Sequence, residues 1–213
     1  LHQAMINGDA NISALRYTGT DLTGPLQEAP MKDSVETLAF VQKAFNERFN
    51  QTFFDSYGFE NTYAFMVSKE MAQKHNLTKI SDLASIASTL QAGVDTSWLN
   101  REGDGYKAFV EAYNFDFKRT YPMQIGLVYD AVQAGEVDVV LGYTTDGRIA
   151  SYELTVLEDD LNFFPPYDAS MIATNELLEA KPHIQPIMSL LVGKISTKKM
   201  QELNYLSDNN LME

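Results

Sequence analysis

Cysteine is absent from the 213 residues, which excludes disulfides, thiolate catalysis and any zinc or iron–sulfur site held by thiolates. Histidine is scarce. His2, His75 and His183 stand far apart, with no HExxH or His/carboxylate spacing, so no metal site is expected. Basic residues are few: 16 Lys+Arg against 29 Asp+Glu give a net charge of −13. A phosphate backbone needs a Lys/Arg surface, so a nucleic-acid partner is not expected. No apolar run approaches the roughly 18 residues of a membrane span, and no basic n-region with a cleavage site opens the chain. The patterns GxGxxG, GxxxxGK[ST] and GxSxG are all missing. Gly103-Asp104-Gly105 is too short to cradle a phosphate and reads as a turn. No cofactor is expected.

What is present is enough for a folded protein. Hydrophobic residues make up 45%, which can bury a proper core. The length allows one large domain or two small lobes. The negative field favours cationic or zwitterionic partners, though acidity also serves solubility.

Short apolar runs alternate with helical patterns, the signature of an α/β fold. Leu1 to Gly8 reads as the last turns of a helix with Gly8 as its stop, so the sequence is expected to be a piece of a longer chain. Ala10 to Tyr17 reads as a strand. Asp33 or Ser34 is expected to cap a helix with the stripe Val35, Leu38, Val41, Phe45 and Phe49 facing the core. Thr62 to Ser68 is a predicted strand and Lys69 to His75 a short helix, after which Ser81 caps a segment running to Ala87. A second unit follows. It has a strand near Leu90–Val94, a loop Trp98–Gly105, a helix Tyr106–Tyr113 and a strand Phe115–Thr120. Ile125, Val128 and Val132 mark a helix stopped at Gly135, and Val137 to Tyr143 is the clearest strand. From Asn175 the chain is predicted mostly helical, with Ile184, Ile187 and Leu191 on one face. Repeats and flexible linkers are missing, so two lobes would be joined by strands.

Several tyrosines fall beside strand ends. Tyr17 ends the first strand, Tyr63 starts another, Tyr143 ends the clearest one, and Tyr167 follows Phe163-Phe164-Pro165-Pro166. In open α/β sheets ligands bind in the crevice outside strand ends. A tyrosine offers a negative π-face, and several faces together suit a quaternary ammonium, at ~0.5–2 kcal/mol per ring. With 11 Tyr in the chain, any single one at a strand end is more often core or rim than ligand contact, and periodicity alone does not select these four.

The segments Tyr17-Thr18-Gly19-Thr20, Glu60-Asn61-Thr62-Tyr63, Leu141-Gly142-Tyr143-Thr144-Thr145-Asp146-Gly147-Arg148-Ile149 and Phe163-Phe164-Pro165-Pro166-Tyr167-Asp168-Ala169 resemble one family. So do Arg101-Glu102-Gly103-Asp104-Gly105-Tyr106 and Met200-Gln201-Glu202-Leu203-Asn204-Tyr205. It is the substrate-binding proteins of bacterial ABC importers for osmoprotectants: glycine betaine, carnitine, choline and related compounds. The resemblance runs in order through essentially the whole chain.

It implies a two-lobe type II periplasmic-binding fold that lacks its N-terminal strand–helix unit. Lobe one would hold 1–62 and 167–213, and lobe two 63–166. It also implies an aromatic cage of Tyr17, Tyr63, Tyr143 and Tyr167, with Thr20 near the ligand's carboxylate and Arg101 as a basic partner to it. Relatives restricted to choline resemble this loop but carry Asp where Thr20 stands. Glycine betaine and carnitine are therefore expected ahead of a choline-only ligand, with Asp21 close enough to reverse that order. The implied partner is the membrane subunit of an importer. The implied location is extracytoplasmic, at the membrane through a lipid anchor or a fused permease, with the protein a monomer and not an enzyme. Two other readings stay open: an enzyme on a small cationic substrate with Asp146 or Asp168 as base, and the ligand-sensing domain of a regulator. Carboxylates as common as Asp146 and the pair Asp159-Asp160 otherwise read as solvated surface.

Overall fold

The computed structural model describes residues 1–101 and 104–209. Its strands are β1 (Ile12–Tyr17), β2 (Gln51–Phe53), β3 (Tyr63–Ser68), β4 (Gln91–Asp95), β5 (Arg119–Met123), β6 (Val139–Tyr143), β7 (Leu154–Val156) and β8 (Ala169–Thr174). They divide between two compact units, Leu1–Asn61 with Pro165–Met200, and Thr62–Phe164 with Gln201–Glu213. The division falls inside the Thr197–Asp208 helix. The described residues from 201 to 209, expected in lobe one, group with the second unit, to which two of their side-chain amides bond. Gln201 Nε2 donates to Thr144 O (2.7 Å) and Asn204 Nδ2 to Thr145 O (2.8 Å).

The first unit has a three-stranded antiparallel sheet ordered β1-β8-β2. Its centre, β8, is buried on both faces, and strand alternation sends its side chains to two cores. Ile172 packs with Leu22, Val41, Phe45 and Phe53. Ala169, Met171 and Ala173 pack with Phe54, Tyr57 and Phe59. The sequence reading missed β8, because Ala-Ser-Met-Ile-Ala-Thr carries no clean polar alternation and only two β-branched residues, Ile172 and Thr174. It also missed the three-residue strands β2 and β7.

The Ser34–Phe49 helix starts where the Asp33 carboxylate accepts from Glu36 N at 2.8 Å, a side-chain cap on an otherwise unpaired helix-start N–H. Val41 and Phe45 are buried as expected, but Val35 is 77% exposed. In the first turn it lies beyond the edge of the core. In the C-terminal part, Ile187 (59%) and Leu191 (46%) are exposed while Met188 is buried, so the helix Ile184–Ser189 is rotated from the expected face.

The second unit has a five-stranded mixed sheet ordered β5-β4-β6-β3-β7. β4 runs parallel to β5 and β6, and β3 runs antiparallel to β6 and β7. One face of the sheet buries Phe65, Val67, Val139 and Leu141 against Trp98, Phe109 and Phe117. The other buries Ala64, Met66 and Val140 against Val128, Tyr129 and Val132. The helices Lys69–His75 and Tyr106–Tyr113 lie where the sequence places them.

Three local expectations are corrected in this unit. Trp98 belongs to a short helix, Thr96–Leu99, rather than a loop. The strand expected at Phe115–Thr120 is Arg119–Met123, since Phe115 and Phe117 are core residues of the lead-in. Asp82, not Ser81, caps the turn at 80–85, by accepting from Thr78 N (2.9 Å) and Lys79 N (3.0 Å). Among the described residues no helix is long and apolar enough to cross a membrane.

Candidate ligand-binding site

Antiparallel pairing of β3 with β6 sets Tyr63 directly opposite Tyr143. Side chains opposite one another lie on the same face, about 4.5–5.5 Å apart at Cβ, and these two rings stack with centroids 5.0 Å apart and 28° between planes. Both are half-buried, so each keeps part of its surface open. Phe164 (6.1 Å) and Trp98 (6.5 Å) back the Tyr63 ring. The Tyr63 hydroxyl donates to Asp95 Oδ2 at 3.0 Å. That carboxylate also accepts from Trp98 N at 3.1 Å, capping the Thr96–Leu99 helix. Burial pushes the Tyr63 phenol well above its ordinary range, and its hydrogen bonds to Tyr143 and Asp95 push the same way. Tyr63 therefore stays a neutral phenol.

Arg101 joins this pair. Its guanidinium carbon lies 5.5 Å from the Tyr63 ring centroid, and Nη1 donates to Asp104 Oδ2 at 3.2 Å. The loop after Tyr143 is held by Gln201 and Asn204 through the carbonyls already described. At Gly147 an added Cβ would lie 2.6 Å from the Tyr205 backbone. That contact explains why a residue without a side chain stands in the Thr-Asp-Gly-Arg run. Glu102 and Gly103, part of the Arg101 segment, lie outside the described residues.

Tyr17 and Tyr167 belong to the first unit. Tyr17 ends β1 in register with Ala169 and is half-buried. Burial raises its phenol, opposed by a hydrogen bond with the Asn61 side chain. Asn61 N in turn donates to Tyr167 O at 3.1 Å, so one asparagine ties the two tyrosine positions together. The Tyr167 ring lies on Gly19, where an added Cβ would meet its edge at 2.9 Å. Thr18 N donates to Asp168 O and Asp168 N to Thr18 Oγ1, each at 3.0 Å, locking the two segments. Thr20 is exposed on the Thr18–Thr23 helix. Asp21, its neighbour, points into the protein: it is 1% exposed and forks onto Arg16, with Arg16 Nε donating to Oδ2 at 2.9 Å.

The structure thus brings Tyr63, Tyr143 and Arg101 together in one unit and Tyr17 and Tyr167 in the other. Sequence reasoning missed the parts played by Asp95, Asn61 and the two amides of the last helix. Asp95 had a readable signal, an Asp three residues before Trp98, which is the spacing of a helix cap. The two carboxylates considered as bases are engaged. Asp146 is bound by Arg148 through Nε (3.0 Å) and Nη2 (2.9 Å), and Asp168 Oδ2 accepts from Ser34 Oγ at 2.6 Å. Burial raises the Asp168 carboxyl, opposed by the Ser34 bond.

Two α/β units built from one chain that passes between them more than once, each with tyrosines beside strand ends, define a solute-binding protein of the type II periplasmic class. The chain belongs to the OpuAC family, the substrate-binding domain of ABC-type glycine betaine transport systems, whose model matches residues 1–213. It is therefore a substrate-binding component of an ABC importer, a class that works with membrane permease subunits.

It is 57% identical over 212 residues to the carnitine transport binding protein OpuCC of Listeria monocytogenes, covering 100% of this chain and 69% of that one. A crystal structure described as a glycine betaine/carnitine/choline ABC transporter superposes with a TM-score of 0.97 at 57% identity, over 100% of this chain and 78% of the other. The ergothioneine transport permease/ergothioneine binding protein EgtU of Helicobacter pylori is 33% identical over 205 residues, 96% of this chain and 36% of that protein.

Proposed function

We propose that this protein is the extracytoplasmic binding component of its importer, enclosing the trimethylammonium group of glycine betaine, carnitine or choline among Tyr17, Tyr63, Tyr143 and Tyr167. Each unit contributes two of the four rings, and a ligand that needs all four favours whichever state of the protein presents them together. The stacked, half-open Tyr63–Tyr143 pair carries this reading. A quaternary ammonium has no N–H to donate, so π-faces and dispersion must hold it. Because Tyr63 keeps its proton, the attraction comes from the ring quadrupole rather than from a phenolate, and the Asp95 carboxylate behind it adds negative potential.

Thr20 and Arg101 serve the polar end. The exposed Thr20 hydroxyl can donate to a carboxylate, while Asp21, which would repel one, is buried on Arg16. Carboxylated ligands therefore rank above choline, in line with the names of the Listeria relative and of the family. The partner is the importer's membrane subunit, and the protein acts as a monomer held at the membrane by a lipid anchor or a fused permease. It is not an enzyme: its relatives are transport binding proteins, and the candidate bases Asp146 and Asp168 are already bonded to Arg148 and Ser34.

Calorimetry tests this reading. Glycine betaine and carnitine are expected to bind with micromolar Kd, roughly −8 kcal/mol, and choline more weakly. The carbon isostere of choline, 3,3-dimethylbutanol, keeps the shape without the charge and is expected to bind at least about 30-fold more weakly than choline. A folded protein that binds none of the three ligands contradicts the proposal. Equal binding of choline and its isostere contradicts the cation–π cage.

A further inference from the structure

Tyr129 lies in the Val128–Gln133 helix and is fully buried. Its hydroxyl meets both polar groups of one residue. It accepts from Tyr143 N at 2.7 Å and donates to Tyr143 O at 3.2 Å, which one hydroxyl can do because it offers a proton and two lone pairs. The position matters. β4 pairs with β6 over Ala92↔Val139 and Gly93↔Val140 and its register stops there, so among the described residues the end of β6 has no ladder partner on that side. The Tyr129 hydroxyl takes the place of the missing ladder bonds, which buried backbone groups require.

Two features make the grip tight. At Gly142 an added Cβ would stand 2.5 Å from the Tyr129 hydroxyl, so the approach depends on glycine. Behind the ring, the Arg148 guanidinium lies 4.4 Å from the centroid. It is itself fixed by Asp146 and by the Gly126 carbonyl, at 2.5 Å from Nη1.

We infer that the Tyr129 hydroxyl is a positioning group for the ring pair: by fixing the Tyr143 backbone on both sides of its Cα it aims the Tyr143 ring into its stack on Tyr63. Its consequence for affinity rests on the proposed role of those rings in binding. Tyr129→Phe leaves the Tyr143 N–H and C=O without that partner, so the end of β6 loosens and the stack opens.

Glycine betaine affinity is measured by calorimetry in the parent, Tyr129→Phe, Tyr143→Ala and the double variant. Tyr129→Phe is expected to weaken binding about tenfold in the parent and less than twofold where Tyr143 is already alanine. Thermal melting, which reads structure alone, is expected to fall equally in both backgrounds. Arg148→Gln frees the Tyr129 ring without removing its hydroxyl. As a milder variant it is expected to give about a threefold loss with the same dependence on Tyr143. Equal factors in both backgrounds, or no loss in a parent that binds, overturn the inference.

Failure of the cage itself looks different: Tyr143→Ala then binds as the parent does, or the parent binds nothing. NMR of ring-labelled tyrosines in the ligand-free protein then decides. Tyr143 and Tyr63 resonances that shift and broaden in Tyr129→Phe support the inference, and an unchanged spectrum overturns it.

Discussion

Tyr143→Ala is expected to weaken glycine betaine binding roughly 50-fold, about 2.3 kcal/mol. One cation–π face is lost outright, and the Tyr63 ring, stacked at 5.0 Å, loses the neighbour that holds it. The backbone at this position is gripped independently by Tyr129, so the side chain can be removed with a modest effect on folding. The matched control is Tyr152→Ala. Tyr152 is half-buried in the same unit and donates to Asp130 at 2.8 Å rather than stacking on either ring, and its loss is expected to change affinity less than about twofold. Tyr113 is a poorer control, because it is 6% exposed in the aromatic core and its truncation would leave a cavity. Calorimetry on both variants reads the difference, and equal losses would remove Tyr143 from the cage.

The second large effect concerns stability. Arg16 and Asp21 form a bidentate pair, with side chains 8% and 1% exposed, beneath the Phe45 ring. Burial pushes the Asp21 carboxyl above its ordinary range and Arg16 opposes that shift, the balance of a pair whose desolvation cost is large. Asp21→Ala leaves the guanidinium buried without its counter-charge and is expected to cost about 3–5 kcal/mol. The double change Arg16→Met/Asp21→Leu, which removes both charges, is expected to recover most of that loss. Chemical denaturation measures both, and a single-variant loss under about 1 kcal/mol would show that the pair is dispensable. The functional link is local: Asp21 fixes the Thr18–Thr23 helix that carries Thr20 and lies against the Tyr167 ring at Gly19.

Legibility followed the physics of each element. Helices with a side-chain cap were readable, since Asp33 and Ser68 each accept from a backbone N–H of the first turn and those residue types announce the role. Strand β6 was readable as a continuous apolar run. Strand β8 was not, although it is the centre of its sheet, because a short segment buried on both faces leaves no periodic signal. The tyrosines were visible as residues beside strand ends, yet what singled out these four was the pattern of surrounding blocks, not spacing. Tyr129 resembled any core aromatic. Its role depends on a hydroxyl meeting a peptide 14 residues away, a contact that appears once the helix is packed on the sheet. Asp21 was read as close enough to the ligand's carboxylate to matter, whereas the structure buries it on Arg16, five residues back, a contact that no local pattern foretold.

The most direct test is a crystal structure of the protein with glycine betaine bound. The expected result is a quaternary nitrogen within about 6 Å of the ring centroids of Tyr17, Tyr63, Tyr143 and Tyr167, with the carboxylate at Thr20 or Arg101. A ligand seated elsewhere, or one that touches the rings of a single unit with the other two tyrosines turned away, would contradict the account.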